Sequence, residues 1–280
     1  MSLFSIFDIG KNALLTSQAA LDVTAHNIAN VNTPGYSRQE IVLETQPPVK
    51  TSIGYIGRGV LARQVKRYYD GFLQRQIFKQ RQLLGRSNVL SDIYRQLESI
   101  FNEQVESGFS SAYSEYLNAW HEVSANPDSK AQRAVLLSKA EALVGKAKQI
   151  ESSMTSLLSD INTDVSNTVE EINSLAREIA TLNEKIAQVE AGSYLKANDL
   201  RDKRDNLMNQ LSELVGYSYY EDSSGKVTIM VGRKNLVEGV DYNELSLSHN
   251  QDGSVNILFG SENINDLLDK GKLEALLTAS

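Results

Sequence analysis

Between Lys130 and Ala191 the chain carries no proline and a single glycine, Gly145. Nothing in that stretch breaks a helix. Apolar or small residues recur along it at Leu143, Ala147, Ile150, Met154, Leu157, Ile161, Val165, Thr168, Ile172, Leu175, Ile179, Leu182, Ile186 and Val189. The spacings alternate four and three, except at Ile161, where two fours fall together. The pattern predicts one continuous helix with a single stutter that relaxes left-handed supercoiling. A helix of about 60 residues is roughly 90 Å long. No globular core covers such a rod, so other helices must. The sequence offers 66–104 and 198–215, the first with a seam at Leu83, Leu90, Ile93, Leu97 and Ile100 that runs to about Gln104. Aromatic content of 7% and one tryptophan suit a rod better than a thick core. The expected class is mainly α: a long antiparallel helical bundle or coiled-coil rod.

A second helix is expected from about Leu3 to Val31. Phe7, Leu14, Leu21 and Ile28 repeat every seven residues, with Gly10, Ser17, Thr24 and Val31 between them. Large and small residues alternating along a seam permit close approach of another helix. Packing against its own domain is the plainer reading, but the next 35 or so residues offer no apolar helix of similar length. The helix is expected to stop near Asn30 to Asn32. Asn and Thr side chains compete for local backbone groups, Pro34 disfavours helix at Thr33, and Pro34-Gly35 forces a turn.

Residues 36–65 read as extended and irregular. Gly54, Gly57 and Gly59 do not follow the dinucleotide-binding order and have no strand-turn-helix context. A helix is expected from about Lys66, broken at Gly108. A shorter one follows with Phe109, Tyr113, Tyr116, Leu117 and Trp120 on one side. Asp128 or Asn126 is the expected N-cap of the rod, Gly192-Ser193 its end, and Asn198 the next cap. In that next helix Leu200, Leu207, Leu211, Leu214 and Val215 should face inward. Arg201, Asp202, Lys203, Arg204 and Asp205 read as a solvated, self-paired face. From Gly216 the period becomes two, at Val227, Ile229, Val231, then Leu245, Leu247, then Val255, Ile257, Phe259. With turns at Ser223-Ser224-Gly225 and Gln251-Asp252-Gly253, this predicts a small antiparallel sheet over 216–260. The division is thus 1–65, a terminal helix with an extended linker; 66–215, the rod; and 216–280, β-hairpins and the start of a last helix.

The stretch Ala29, Asn30, Val31, Asn32, Thr33, Pro34, Gly35, Tyr36, Ser37, Arg38, Gln39 resembles the N-terminal signature of the bacterial flagellar axial proteins, a family of rod, hook and hook-associated members. The segments Asp199-Leu200-Arg201-Asp202-Lys203-Arg204-Asp205-Asn206-Leu207 through Gly216, and Gly271 to Leu277, resemble the hook-associated branch at the hook–filament junction. The resemblance implies a structural part that self-assembles into the axial tube. Its partners would be its own copies in a ring or helical tube, the hook protein, an adjacent hook-associated protein and the filament. In the full-length form, the export apparatus and a chaperone join that set. It implies an extracellular location reached without a cleaved signal peptide. Family members end in a second terminal helix, so a chain ending at Ser280 is expected to be a fragment or a truncated variant. The alternatives are another rod or hook axial protein, or a coiled-coil adaptor, which would leave the rod seam free to dimerise.

Composition bears on the chemistry. A net charge of −7 argues against nucleic acid, and the absence of cysteine removes thiolate metal sites and nucleophiles. His26, His121 and His249 lie on different expected elements, His121-Glu122 lacks the second histidine of a zinc protease, and no G-x-S-x-G elbow occurs. Asp8, Gln18, Asp22 and His26 interrupt the first apolar run, so it is neither a signal peptide nor a membrane span. Some rod proteins carry a wall-cutting domain, but Glu170-Glu171 and Asp202/Asp205 read as solvated charge. No catalysis, cofactor, metal or membrane partner is expected. Residues 58–86 hold a local charge of +7, from Arg58, Arg63, Lys66, Arg67, Arg75, Lys79, Arg81 and Arg86 against Asp70. They read either as a solvated face or as a subunit contact, with Tyr68, Tyr69 and Phe72 as its apolar part.

Overall fold

The computed structural model describes residues 3–101, 108–192, 195–250 and 253–280. Helix α1 (Leu3–Ala29) is followed by β1 (Gln39–Thr45), a small hairpin of β2 (Val49–Thr51) and β3 (Gly54–Ile56), and β4 (Val60–Arg67). Four helices follow: α2 (Gly71–Phe101), α3 (Phe109–Ala125), α4 (Lys130–Glu190) and α5 (Asn198–Leu214). A four-stranded sheet then forms from β5 (Ser218–Glu221), β6 (Val227–Val231), β7 (Lys234–Glu238) and β8 (Asp241–Tyr242), paired in chain order. A three-stranded sheet of β9 (Leu245–His249), β10 (Val255–Phe259) and β11 (Glu262–Asn263) precedes α6 (Gly271–Ala279). The chain is mainly helical with small antiparallel sheets near its end.

The expected 60-residue helix is α4, 61 residues without interruption. Its seam is buried only from Leu157 onward, with Val165, Ile172, Ile179 and Ile186 fully enclosed. Each such side chain stabilises the fold by about 1.5–3 kcal/mol. Helix α5, α6 and the strands β7 to β9 cover this half. The first half packs against α3 in an antiparallel hairpin, joined by Lys139 and Glu115 at 2.7 Å. Helix α2, expected to cover the rod, lies chiefly on α5 and α6 instead.

Two buried or half-buried asparagines of α4 tie it to the sheets. Asn183 Nδ2 donates to the Val227 and Gly239 carbonyls at 2.8 and 2.7 Å, and its Oδ1 accepts from the Val227 amide at 3.1 Å. Asn173 makes the same two-way bond to Leu245, 2.8 Å in each direction. These replace bonds the strand backbones would otherwise lack.

Several boundaries differ from expectation. Residues 36–65 are not irregular: β1 pairs with β4 from Gln39↔Arg67 to Thr45↔Val60. Lys66 and Arg67 therefore finish a strand, and α2 starts at Gly71, where Asp70 Oδ1 accepts from the Phe72 and Leu73 amides at 2.9 and 3.1 Å. The rod is capped by Ser129, whose Oγ accepts from the Gln132 amide, rather than by Asp128 or Asn126. Asn198 is the first residue of α5 rather than its cap. Gln104, Ser193, Gln251 and Asp252 lie outside the described residues.

Gly85 marks a close approach of α2 to α5: a Cβ there would stand 2.1 Å from the Glu213 carbonyl oxygen. Gly145 in α4 has nothing within 4 Å of the same position. Gly85→Ala is expected to destabilise by about 1–3 kcal/mol through overpacking. Gly145→Ala is expected to stabilise by about 0.5–1 kcal/mol through helix propensity. Urea unfolding of the two variants checks the opposite signs; equal effects would contradict the close crossing.

Candidate functional site

The end of α1 is closed by side chains of the signature. Asn27 Oδ1 accepts from the Gln39 amide and from the Tyr36 hydroxyl, both at 2.8 Å, while Asn27 Nδ2 donates to the Gln39 carbonyl at 2.8 Å. The Tyr36 hydroxyl also meets His26 Nδ1 at 3.1 Å. Asn30 Nδ2 donates to the His26 carbonyl at 3.0 Å, and the Thr33 amide to the Asn30 carbonyl at 2.9 Å. Gly35 then turns the chain with φ +80°, and a Cβ on it would lie 3.1 Å from Asn206 Cβ. Ala29, Asn32 and Pro34 are exposed at the turn, and Arg38 lays its guanidinium 5.1 Å above the Tyr68 ring.

This closed turn docks on the first turns of α5. The Ser37 amide donates to Asp202 Oδ2 at 2.8 Å, Gln39 Nε2 to Asp199 Oδ1 at 2.7 Å, and Asn198 Nδ2 to the Val65 carbonyl at 3.0 Å. Arg67 sits opposite Gln39 in the hairpin register, and both are buried. Its Nη1 donates to Asp202 Oδ1 and Asp205 Oδ2, each at 2.7 Å, and its guanidinium stands 4.1 Å over the Tyr69 ring. Burial alone would lower the Arg67 pKa; Asp205 and Asp202 outweigh it and raise it. Burial pushes the Asp205 carboxyl up, with Arg67 and Arg204 pulling it back. Burial and the nearby Asp199 and Asp202 raise the Tyr36 hydroxyl, which stays protonated and donates.

The opposite flank of α5 carries the cations. Arg201 grips Glu190 at the end of α4 with two bonds, Nε to Oε1 at 2.7 Å and Nη2 to Oε2 at 2.9 Å, and reaches Glu221 of β5 at 2.5 Å. Arg204 is 1% exposed and donates to Asn183 Oδ1 at 3.1 Å and the Gly225 carbonyl at 2.6 Å. Burial lowers its pKa, and its Nε has no hydrogen-bond partner among the described residues. Burial works against ionised Glu190, but bonds from Arg201, Lys196 and the Ala197 amide hold its carboxyl down at about 2.

The reading of 201–205 as a solvated, self-paired face is therefore corrected. Arg201, Asp202, Arg204 and Asp205 are buried, and their partners lie on other elements. The basic stretch is divided, with some of its cations paired within the chain and others exposed. Arg67 joins α5, Arg63 meets Glu44 at 2.7 Å, Arg81 pairs with Glu213, and Arg86 pairs with Glu274 at 2.5 Å. Arg58, Lys66, Arg75 and Lys79 are exposed, Arg75 near Tyr219. Tyr68, Tyr69 and Phe72 are also exposed.

The seam of α1 is presented outward. Phe7, Leu14, Leu21 and Ile28 are 68–74% exposed, while Thr16 on another face is buried, where α1 rests on β1 and β4. No helix of the described residues is long and apolar enough to cross a membrane, and none of their His, Asp and Glu side chains group to hold a metal ion.

The family described as the flagellar hook-associated protein FlgK helical domain matches residues 94–280, and that of the flagella basal body rod protein matches residues 7–36. Flagellar hook-associated protein 1 of Bacillus subtilis is 33% identical over 260 residues, covering 90% of this chain and 51% of that protein. The Salmonella typhimurium protein of the same name is 28% identical over 246 residues, covering 86% and 44%. The chain thus spans about half the length of the curated relatives it matches. The solved flagellar hook junction protein FlgK from Burkholderia pseudomallei shares the fold, with a TM-score of 0.62 and 23% identity over 73% of this chain and 38% of that one.

Two measurements check the docked turn. Arg67→Ala leaves Asp202 and Asp205 buried without their cation and is expected to cost about 3–5 kcal/mol. Arg67→Met combined with Asp202→Asn and Asp205→Asn should recover most of it, as thermal melting would report; an unchanged melting point for Arg67→Ala would contradict the burial. Glu190 titrates below its ordinary 4.5, at about 2. Its contribution, on the order of 3 kcal/mol, is full above the unfolded value and lost as pH falls towards 2. The stability gap between wild type and Glu190→Gln should therefore be constant above about pH 5 and close on acidification. A gap independent of pH down to 2 would show that Glu190 is not held ionised.

Proposed function

The chain belongs to the flagellar hook-associated protein FlgK family, and on that premise we propose that it is a structural subunit of the joint between flagellar hook and filament. In this reading it works outside the cell by packing against its own copies in a ring or helical tube. The hook protein lies on one side, and an adjacent hook-associated protein and the filament on the other. Residues 1–65 contribute the inner segment, 66–215 the rod and 216–280 the β region. The work is mechanical, and no residue acts as a catalyst. Export machinery and a chaperone handle the full-length protein.

One observation carries the reading. The two segments whose sequences resemble the axial family, 29–39 and 199–207, are docked on one another, and they hold out the exposed seam of α1. A seam of Phe7, Leu14, Leu21 and Ile28 on a firmly seated helix is suited to close packing by another helix. An adaptor would need the rod seam free, yet from Leu157 to Ile186 that seam is buried within one chain.

Deleting the gene in its own cell is expected to leave hooks without filaments, and restoring it to return them. Electron microscopy of isolated flagella reads the result. Pro34→Ala with Gly35→Ala is expected to reduce filament attachment while leaving the helical content of the protein unchanged, because Gly35 alone tolerates φ +80° against Asn206. Normal filaments in the deletion strain would overturn the reading.

A further inference from the structure

Helix α4 is divided by charge as well as by burial. Residues 130–156 carry five basic side chains and two acidic ones; residues 157–190 carry seven acidic and two basic. On the first half, Lys130, Arg133, Leu137, Val144 and Lys148 fall at spacings of three, four, seven and four, which places them on one face. Leu137 is 61% and Val144 53% exposed, and the three cations are exposed as well. On the second half, Asp164, Glu171 and Glu178 repeat every seven residues and are exposed. The first half is also the thin part of the molecule, a two-helix hairpin in which none of residues 130–156 is buried.

We propose that the α3–α4 hairpin is a docking surface for a second copy of this chain, its basic, apolar face lying on the acidic face of the neighbour's α4. The inference rests on the self-assembly reading and names the surfaces that would carry it. Charge complementarity selects the occupant. One end of the helix presents cations around exposed Leu137 and Val144, and the other end of an identical helix presents carboxylates at heptad spacing. Opposite fields steer such faces together, while alignment in register would set like against like. Parallel helices displaced by about half the length of α4, roughly 50 Å, bring them face to face. That contact is head-to-tail: each copy offers its hairpin to the next and its acidic face to the one before. Such a contact closes only as a ring or continues as a helix. The antiparallel alternative would match both ends at once and stop at a dimer.

The chain has no cysteine, so a pair introduced at Leu137 and Glu171 reports only its own contact. The test uses the protein in the cells that make it, with the variant gene in place of the natural one. Oxidation of isolated flagella carrying Leu137→Cys with Glu171→Cys is expected to give a ladder of dimer, trimer and higher species of this chain. Lys130→Glu with Lys148→Glu, and separately Glu171→Lys with Glu178→Lys, should each lower recovery in flagella about tenfold, and the four together should restore it. Normal incorporation of both charge-reversed variants overturns the proposal. So does a double-cysteine protein that enters flagella but gives no ladder, dimers alone, or a cross-link to a chain of different mass. In those cases the structural reading stands. Absence of the wild-type protein from flagella overturns both.

Discussion

The structure depends on a buried guanidinium. Arg67 ends the β1–β4 hairpin and bonds Asp202 and Asp205 of α5, both 2.7 Å away and more than 130 residues distant in sequence. Removing these charges from water costs several kcal/mol per ion, so the cluster is retained only where its geometry satisfies each group. Its consequence is register. Moving β4 by one residue would turn Arg67 to the other side of the hairpin and leave two carboxylates buried without a cation. Gln39, opposite Arg67, would lose Asp199 in the same step. One ion cluster thus fixes which way the hairpin faces, and through it how α1 leaves the rod.

Helix α5 receives this cluster on one flank and repeats the arrangement with opposite sign on the other. Asp199, Asp202 and Asp205 hold the N-terminal segment, whereas Arg201 and Arg204 hold Glu190, Glu221 and Asn183. Arm, long helix and four-stranded sheet therefore meet on about two turns of one helix. Among the described residues, the first sixty or so include no second apolar helix for α1 to pack against. They are seated at three places: Thr16 against the hairpin, Tyr36 and Gln39 against Asn27, and Ser37 and Gln39 on α5. The heptad seam of α1 stays uncovered, and Ile6 and Leu15 with it.

The parts legible in the sequence were those governed by local rules. The length of α4 followed from periodicity and the absence of proline, the stop of α1 from Pro34-Gly35, and the strands after Gly216 from their period of two. The site was half legible: the motif at 29–39 was singled out, and so was 199–207, but not their contact. Alternating charges on one helix look self-paired, because i to i+3 and i+4 partners are the only ones a sequence displays. Their true partners come from strands and helix ends far along the chain. The same reason hid the destination of Arg81 and Arg86. Asn173 and Asn183 were missed because an asparagine beside a rod seam has no periodic signature. Gly85 was missed because only the facing helix reveals that a Cβ cannot fit.

The central claim is that residues 36–39 are locked to α5 and not merely resting on it. Hydrogen exchange of the Ser37 and Gln39 amides, resolved by NMR, measures this: Ser37 donates to Asp202 across the contact with α5, while Gln39 donates to Asn27 of α1 and reports closure of the turn that docks there. Locked, these two amides should exchange with the same opening free energy as the amides of α5, and both should lose protection when Arg67 is replaced. Exchange of Ser37 and Gln39 at loop rates, while α5 remains protected, would contradict the account.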